Sequence, residues 1–252
     1  MAFPSFFEKN RTDDFLMFSL SHWIALALVV LVCLLLYGGR FAIRHNSRLQ
    51  MTIRLLLVVI LLGSEAGLQS WYVSQGIWRS GSSLPLELCG ITLLLSVVML
   101  LTRNRMLYGF LYFAGIGGAS IALLTPNLVY PFPHFRFLLF FISHGAIILA
   151  SLYMTWVEGF RPSWKSLSFT MLCLNLVAAC VWVANFMLGS NYMFLMRKPN
   201  TYSVLDYFGP YPYYLLVEEL FAFAVFLCMY LVFFWLPARI KSRNQRMNRL
   251  PH

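Results

Sequence analysis

Apolar positions along this chain come in long unbroken runs, not in the alternation of a strand or the narrow stripe of a soluble amphipathic helix. Runs of this kind predict membrane-spanning helices, which need about 20 mostly apolar residues each. Seven spans are predicted, at about 18–38, 53–74, 84–102, 107–125, 136–157, 167–189 and 213–237. Connections are short except for 190–212, which is apolar enough to lie on the membrane or to fold over a cavity as a lid. With no repeat and no low-complexity segment, one transmembrane domain covers 1–252 and ends in a basic tail, 238–252. The expected fold class is all-α, a polytopic membrane helical bundle of seven transmembrane helices.

Composition sharpens that picture. The chain is 60% hydrophobic and 11% charged, whereas soluble domains carry about 25% charged residues. A net charge of +10 would suit a nucleic-acid binder, but the basic residues sit in short loops and the tail. There they act as topology signals and contacts to anionic lipid headgroups, so membrane lipids are the expected partners and nucleic acid is not. Thirteen Lys and Arg fall on one face, among them Arg44, Arg54, Arg103, Arg161 and Arg243, against six on the other. By the positive-inside rule the C-terminus is cytoplasmic and the N-terminus outside. Residues 1–14 mix both charge signs and precede a run too long for a cleavable signal, so the first run is a span of a multi-pass cell-membrane protein. Five cysteines lie inside apolar runs with no zinc-type spacing; neither metal, soluble cofactor nor disulfide framework is expected.

Polar groups inside the spans are costly and call for a reason. With 1.5 Å of rise per residue, His22, Glu65, Glu87, Cys89, His144, Asn185, Glu218 and Glu219 all fall within about 12 Å of the outer surface. Arg136 marks the outer end of the fifth span. This one-sided placement predicts a polar cavity opening to the extracytoplasmic leaflet. Each residue also has a plainer role open to it. Glu65 and Glu87 can pair with Arg79, Arg136 or His22 and lock the bundle. Glu218 and Glu219 point about 100° apart, so one can face the cavity and the other Arg197 or Lys198. Asn185 can be interhelical glue, His22 an interfacial residue, and Cys89 a small buried hydrophobe. Cys89 nevertheless follows a helix start, with Pro85 in the first turn and Ser82 or Ser83 as caps, where the helix N-terminus favours a thiolate. His144 precedes Gly145, which admits a close neighbour or a ligand.

Several stretches together resemble the YwaF-like family of bacterial integral membrane proteins. They are Leu84-Pro85-Leu86-Glu87-Leu88-Cys89, Phe18-Ser19-Leu20-Ser21-His22, Phe140-Phe141-Ile142-Ser143-His144-Gly145, Asn191-Tyr192-Met193-Phe194-Leu195 and Gly209-Pro210-Tyr211-Pro212-Tyr213. The family is similar to a eukaryotic transmembrane acyltransferase that remodels ether phospholipids, and distantly to androgen-induced membrane hydrolases. The resemblance implies a bacterial plasma-membrane enzyme with Cys89 as the acyl-accepting nucleophile and His144 as its base. Where relatives carry His two residues before the cysteine, this chain has Glu87. The expected activity is a lipid acyltransferase or transacylase, with His22, Glu65 or Glu87 orienting His144. Glu65, Asn185, Glu218, Glu219 and Arg136 are the candidate substrate-binding groups. The alternatives are a proton-coupled transporter or permease, and a non-catalytic membrane assembly protein.

Overall fold

The computed structural model of the protein describes residues 6–10, 14–199 and 204–240. Arg11, Lys241, Arg243, Arg246 and Arg249, which enter the charge asymmetry, lie outside them. The described chain forms α1 (Leu20–Arg44), α2 (Ser47–Ser74), α3 (Leu88–Thr102), α4 (Arg105–Leu124), α5 (Phe135–Trp156), α6 (Trp164–Leu188) and α7 (Tyr213–Ile240). Two 3₁₀ turns, Tyr192–Phe194 and Val204–Phe208, sit in the connection before α7. Polar caps set most helix starts. Ser19, Asn46, Asn104, His134 and Ser163 each accept an amide of the following turn, which satisfies a donor the helix cannot.

Six helices are long and apolar enough to cross a membrane; α3 has 15 residues. At 1.5 Å per residue it is about 22 Å long, short of a hydrocarbon core of about 30 Å. It begins at Leu88, not at Leu84. Pro85 forces the residue before it toward extended backbone, and Glu87 is itself extended, at φ −68°, ψ 149°. Residues 84–87 therefore form a strap that lies over the first turn of α3. Ser83 does not cap α3: its hydroxyl accepts the Arg79 amide in the preceding turn.

The core sits along α4 and α5. Of the most apolar stretch of each, 61% is buried, against 6% for α7 and 17% for α1. α5 packs with α1, α2, α3 and α4, while α4 also takes α6 and α7. Glycines on α4 allow the approach. A Cβ at Gly115 would stand 3.4 Å from Ile147 of α5, at Gly117 2.9 Å from the Phe226 ring of α7, and at Gly118 3.4 Å from Leu88 of α3. Without a hydrophobic drive between helices in lipid, such close van der Waals contact holds the bundle. Within α4 the turn Leu111–Gly115 is π-helical, and Ser151 of α5 donates to its Leu111 carbonyl.

The two ends are tied differently. At the basic end Glu158 sits 3.6 Å from both Arg54 and Arg103, with its own side chain 10% exposed. Arg44 donates to the Val157 carbonyl and Tyr153 to that of Gln50. At the other end the N-terminal segment is pinned by Trp71, which donates to Phe7 O, and by His134, whose ring bridges Glu8 O and the Arg136 amide and stacks on Tyr130.

The charge asymmetry predicts that the Glu158 end faces the cytoplasm. Topology reporters fused after Arg44 and at the C-terminus should both read cytoplasmic. Opposite readings would contradict an odd number of crossings.

Candidate functional site

The first turn of α3 is where chain geometry and chemistry meet. Glu87 holds the N-cap position, yet its side chain makes no capping hydrogen bond. Its carboxylate instead accepts the Met193 amide at 2.9 Å. The amides of Leu88, Cys89 and Gly90 consequently make no hydrogen bond among the described residues. Cys89, half-buried, is the second residue of this open turn, so its thiol stands at a helix N-terminus with free N–H donors and the positive end of the dipole. The strap makes this possible. A Cβ at Gly90 would sit 3.0 Å from Pro85 Cα and Pro85 O, so only glycine lets residues 84–87 lie this close.

The strap is held from above by the 189–199 segment. Asn185, 1% exposed near the end of α6, donates to Tyr192 O and accepts from the Ser190 hydroxyl and the Tyr192 amide. Tyr192 then donates its hydroxyl to Ser80 O and accepts the Leu84 amide. Asn185 thus acts as a loop staple, and its polar atoms are used. Met193 and Phe194 adopt positive φ, 55° and 53°, and this turn aims the Met193 amide at Glu87. Between the two loops lies a cavity of about 390 Å³ lined by Glu87, Asn127, Asn191, Arg197 and Lys198 among others. Of the 190–212 connection, expected to lie on the membrane or to fold over a cavity, residues 190–199 form this docked segment.

His144 lies on α5, which packs directly against α3. It is 9% exposed. Its Nδ1 donates to Phe140 O at 2.8 Å, which leaves Nε2 as the proton-accepting nitrogen, and that atom makes no hydrogen bond among the described residues. No hydrogen bond joins it to Cys89 among the described residues. Thr92 and Ser96, buried on the face of α3 below Cys89, went unnoticed in the sequence; their spacing of three and seven residues from Cys89 is the signal. Their hydroxyls donate back to Cys89 O and Thr92 O, so they serve the helix itself.

The other candidates are placed apart from one another. His22 is fully buried, and both ring nitrogens are engaged. Nδ1 accepts the Phe18 amide, Nε2–H donates to Leu123 O at 2.8 Å, and Phe15, Phe18 and Phe141 surround the ring. It ties α1 to the end of α4. Glu65 accepts from Gln69, which also donates to Ser83 O and accepts from Trp78. Glu65 therefore supports the loop that leads into the strap. Arg136 lies over Trp71 and Tyr72 at 5.5 and 5.2 Å, a cation–π contact, with its buried Nε unpartnered. Glu219 accepts from Asn175 across α6 and α7, while Glu218, on the next facet, makes no hydrogen bond among the described residues. None of Glu65, Glu87, Glu218 or Glu219 forms an ion pair among the described residues, so the charge locks expected with Arg79, Arg136 or Arg197 are not made. Glu158, the ion-paired carboxylate, escaped notice because it follows the fifth span on the basic side.

Replacing Gly90 by Ala should lower stability by about 1–3 kcal/mol through overpacking against Pro85. Asn185→Ala should cost about 2 kcal/mol by orphaning the Tyr192 groups. Thermal melts in detergent, alongside Asn175→Ala as an exposed control with little effect, check both.

The TMEM164 family profile matches residues 17–230. An uncharacterized protein of Treponema pallidum (strain Nichols) is 25% identical over 244 residues, covering 94% of this chain and 97% of the relative. No solved structure matches. The match narrows the earlier resemblance: it supports a TMEM164-type membrane family and not the YwaF-like label in particular. The profile spans most of the seven-helix bundle, the first turn of α3 and the Asn185–Tyr192 knot included, and the chain therefore belongs to the TMEM164 family.

Proposed function

We propose that this multi-pass membrane protein is a phospholipid acyltransferase or transacylase in which Cys89 carries the acyl group. The observation that carries the reading is the open first turn of α3. A thiol sits there beside three unpaired amides because Glu87 has turned away to Met193. In an acyl transfer, the Cys89 sulfur attacks the ester carbonyl of a donor lipid. Negative charge builds on the carbonyl oxygen, where the amides of Cys89 and Gly90 can stabilise it. The C–O bond breaks, the lyso-lipid oxygen leaves with a proton, and the acyl group remains as a thioester.

His144 supplies the proton traffic. Its Nδ1–H is held by Phe140 O, which fixes the tautomer that leaves Nε2 free to accept. It takes the thiol proton, passes it to the leaving oxygen, and then takes the proton of the acceptor hydroxyl as that oxygen attacks the thioester and expels the thiol. Catalytic hydrogen bonds are often long without substrate, and drawing the Cys89 and His144 side chains together is the task left to the bound lipid. His22 supports this by tying α1 to α4, Glu65 by holding the approach to the strap, and Arg136 by its place beside Trp71 and Tyr72. Arg197 and Lys198 give the outer cavity two cations against Glu87, which suits a phosphate headgroup. On this reading the chemistry belongs to the outer leaflet of a bacterial plasma membrane, with the basic end in the cytoplasm facing anionic headgroups.

The permease reading draws less support, because the outer cavity and the groove at the basic end share no lining residue. A purely structural role gives no reason for an uncapped helix end beside a thiol.

Purified protein incubated with a labelled phospholipid and a lysophospholipid should transfer acyl chains. Cys89→Ala should reduce transfer to background, and His144→Ala should lower it by about 10²–10⁴-fold. Wild-type transfer by Cys89→Ala would overturn the assignment.

A further inference from the structure

A second cavity lies on the other side of the bundle, at the basic end. α1 packs on α5 and α7 packs on α4, but α1 and α7 are not packed together as a pair. The gap between them is floored by α4 and α5 and measures about 880 Å³, within the range of ligand pockets. Its walls are mainly apolar and run from Leu124 and Ile121 of α4 past Val225 and Met229 of α7.

Its mouth is charged. Arg40, Arg44 and Arg161 line it, and no carboxylate does. The nearby Glu158 is taken by Arg54 and Arg103. Arg40 is ordered over Tyr37 at 3.7 Å and Phe41 at 4.3 Å. Arg44 uses Nε on Val157 O, which leaves its terminal nitrogens free to donate. Arg161 is exposed and makes no hydrogen bond among the described residues.

Two hydroxyls inside the groove lack partners. Tyr112 is 4% exposed and lines the cavity, yet its hydroxyl makes no hydrogen bond among the described residues. The Ser120 hydroxyl, two turns on, is likewise unpartnered. Both hydroxyls are accessible from the groove, so a ligand or water there can meet them.

We propose that this groove binds one anionic phospholipid from the leaflet at the basic end. Its phosphate sits on Arg40, Arg44 and Arg161. An ester carbonyl accepts from Tyr112, and one acyl chain runs along α4 between α1 and α7. Three cations with no counter-charge select against a zwitterionic headgroup, and the lateral gap admits a chain directly from the bilayer. The site is separate from Cys89, and the proposal does not depend on acyl transfer.

The test uses full-length protein in phosphatidylcholine nanodiscs doped with phosphatidylglycerol that carries a photoactivatable group on one acyl chain. Peptide mapping should find crosslinks concentrated at 116–121 and 225–229, with a phosphatidylcholine probe labelling these segments far less. Arg40→Gln and Arg161→Gln should each weaken phosphatidylglycerol labelling roughly fivefold. Ser120→Phe, which fills the groove and keeps all three arginines, should abolish it while the melting temperature holds. Equal labelling by the two headgroups, labelling spread over the outer faces of α1, α2 and α6, or undiminished labelling of Ser120→Phe would each overturn the proposal.

Discussion

Everything at the Cys89 end depends on Pro85 lying across Gly90. Pro85 disfavours helical backbone at the residue before it, and Glu87 is extended, so α3 starts late and stays short. The absent Cβ at Gly90 lets the strap rest on the first turn without blocking it. The outcome is a short helix with Cys89 in its first turn and its amides open. A helix terminus in a membrane interior is normally satisfied by its own cap. Here the residue in the cap position spends its carboxylate on another loop, and the unmet donors mark the place where charge can be stabilised.

The rest of the molecule holds that arrangement steady. The Asn185–Tyr192 knot fixes the strap from above, and Glu65 with Gln69 fixes the loop before it. From below, α4 acts as a central post whose glycines let α3, α5 and α7 close in. The far end is clamped by one carboxylate between two arginines. Breaking such a pair from one side would strand a buried charge, so Glu158 ties α2, α3 and the α5–α6 connection into one unit.

The spans were legible in the sequence because lipid demands long apolar runs and leaves few other choices. Six of the seven can be placed from hydropathy alone. The start of α3 could not, since Leu84-Pro85-Leu86 is as apolar as the helix it precedes, and only the packing of Pro85 on Gly90 decides the boundary. Rotation about each helix was not legible. Asn185 and His22 use their polar atoms on a loop and on the end of α4. Glu219 faces Asn175 for the same reason. The groove at the basic end left no trace in the sequence, because it arises from α1 and α7 standing on different partners.

The most direct test of the central claim is peptide-level mass spectrometry of the protein taken from lipid, with and without hydroxylamine. The open first turn of α3 predicts a hydroxylamine-sensitive acyl adduct on the peptide that contains Cys89, lost in His144→Ala and absent from Cys33, Cys173, Cys180 and Cys228. An unmodified Cys89 in protein that is actively transferring acyl chains, or an adduct borne equally by the other cysteines, would contradict it.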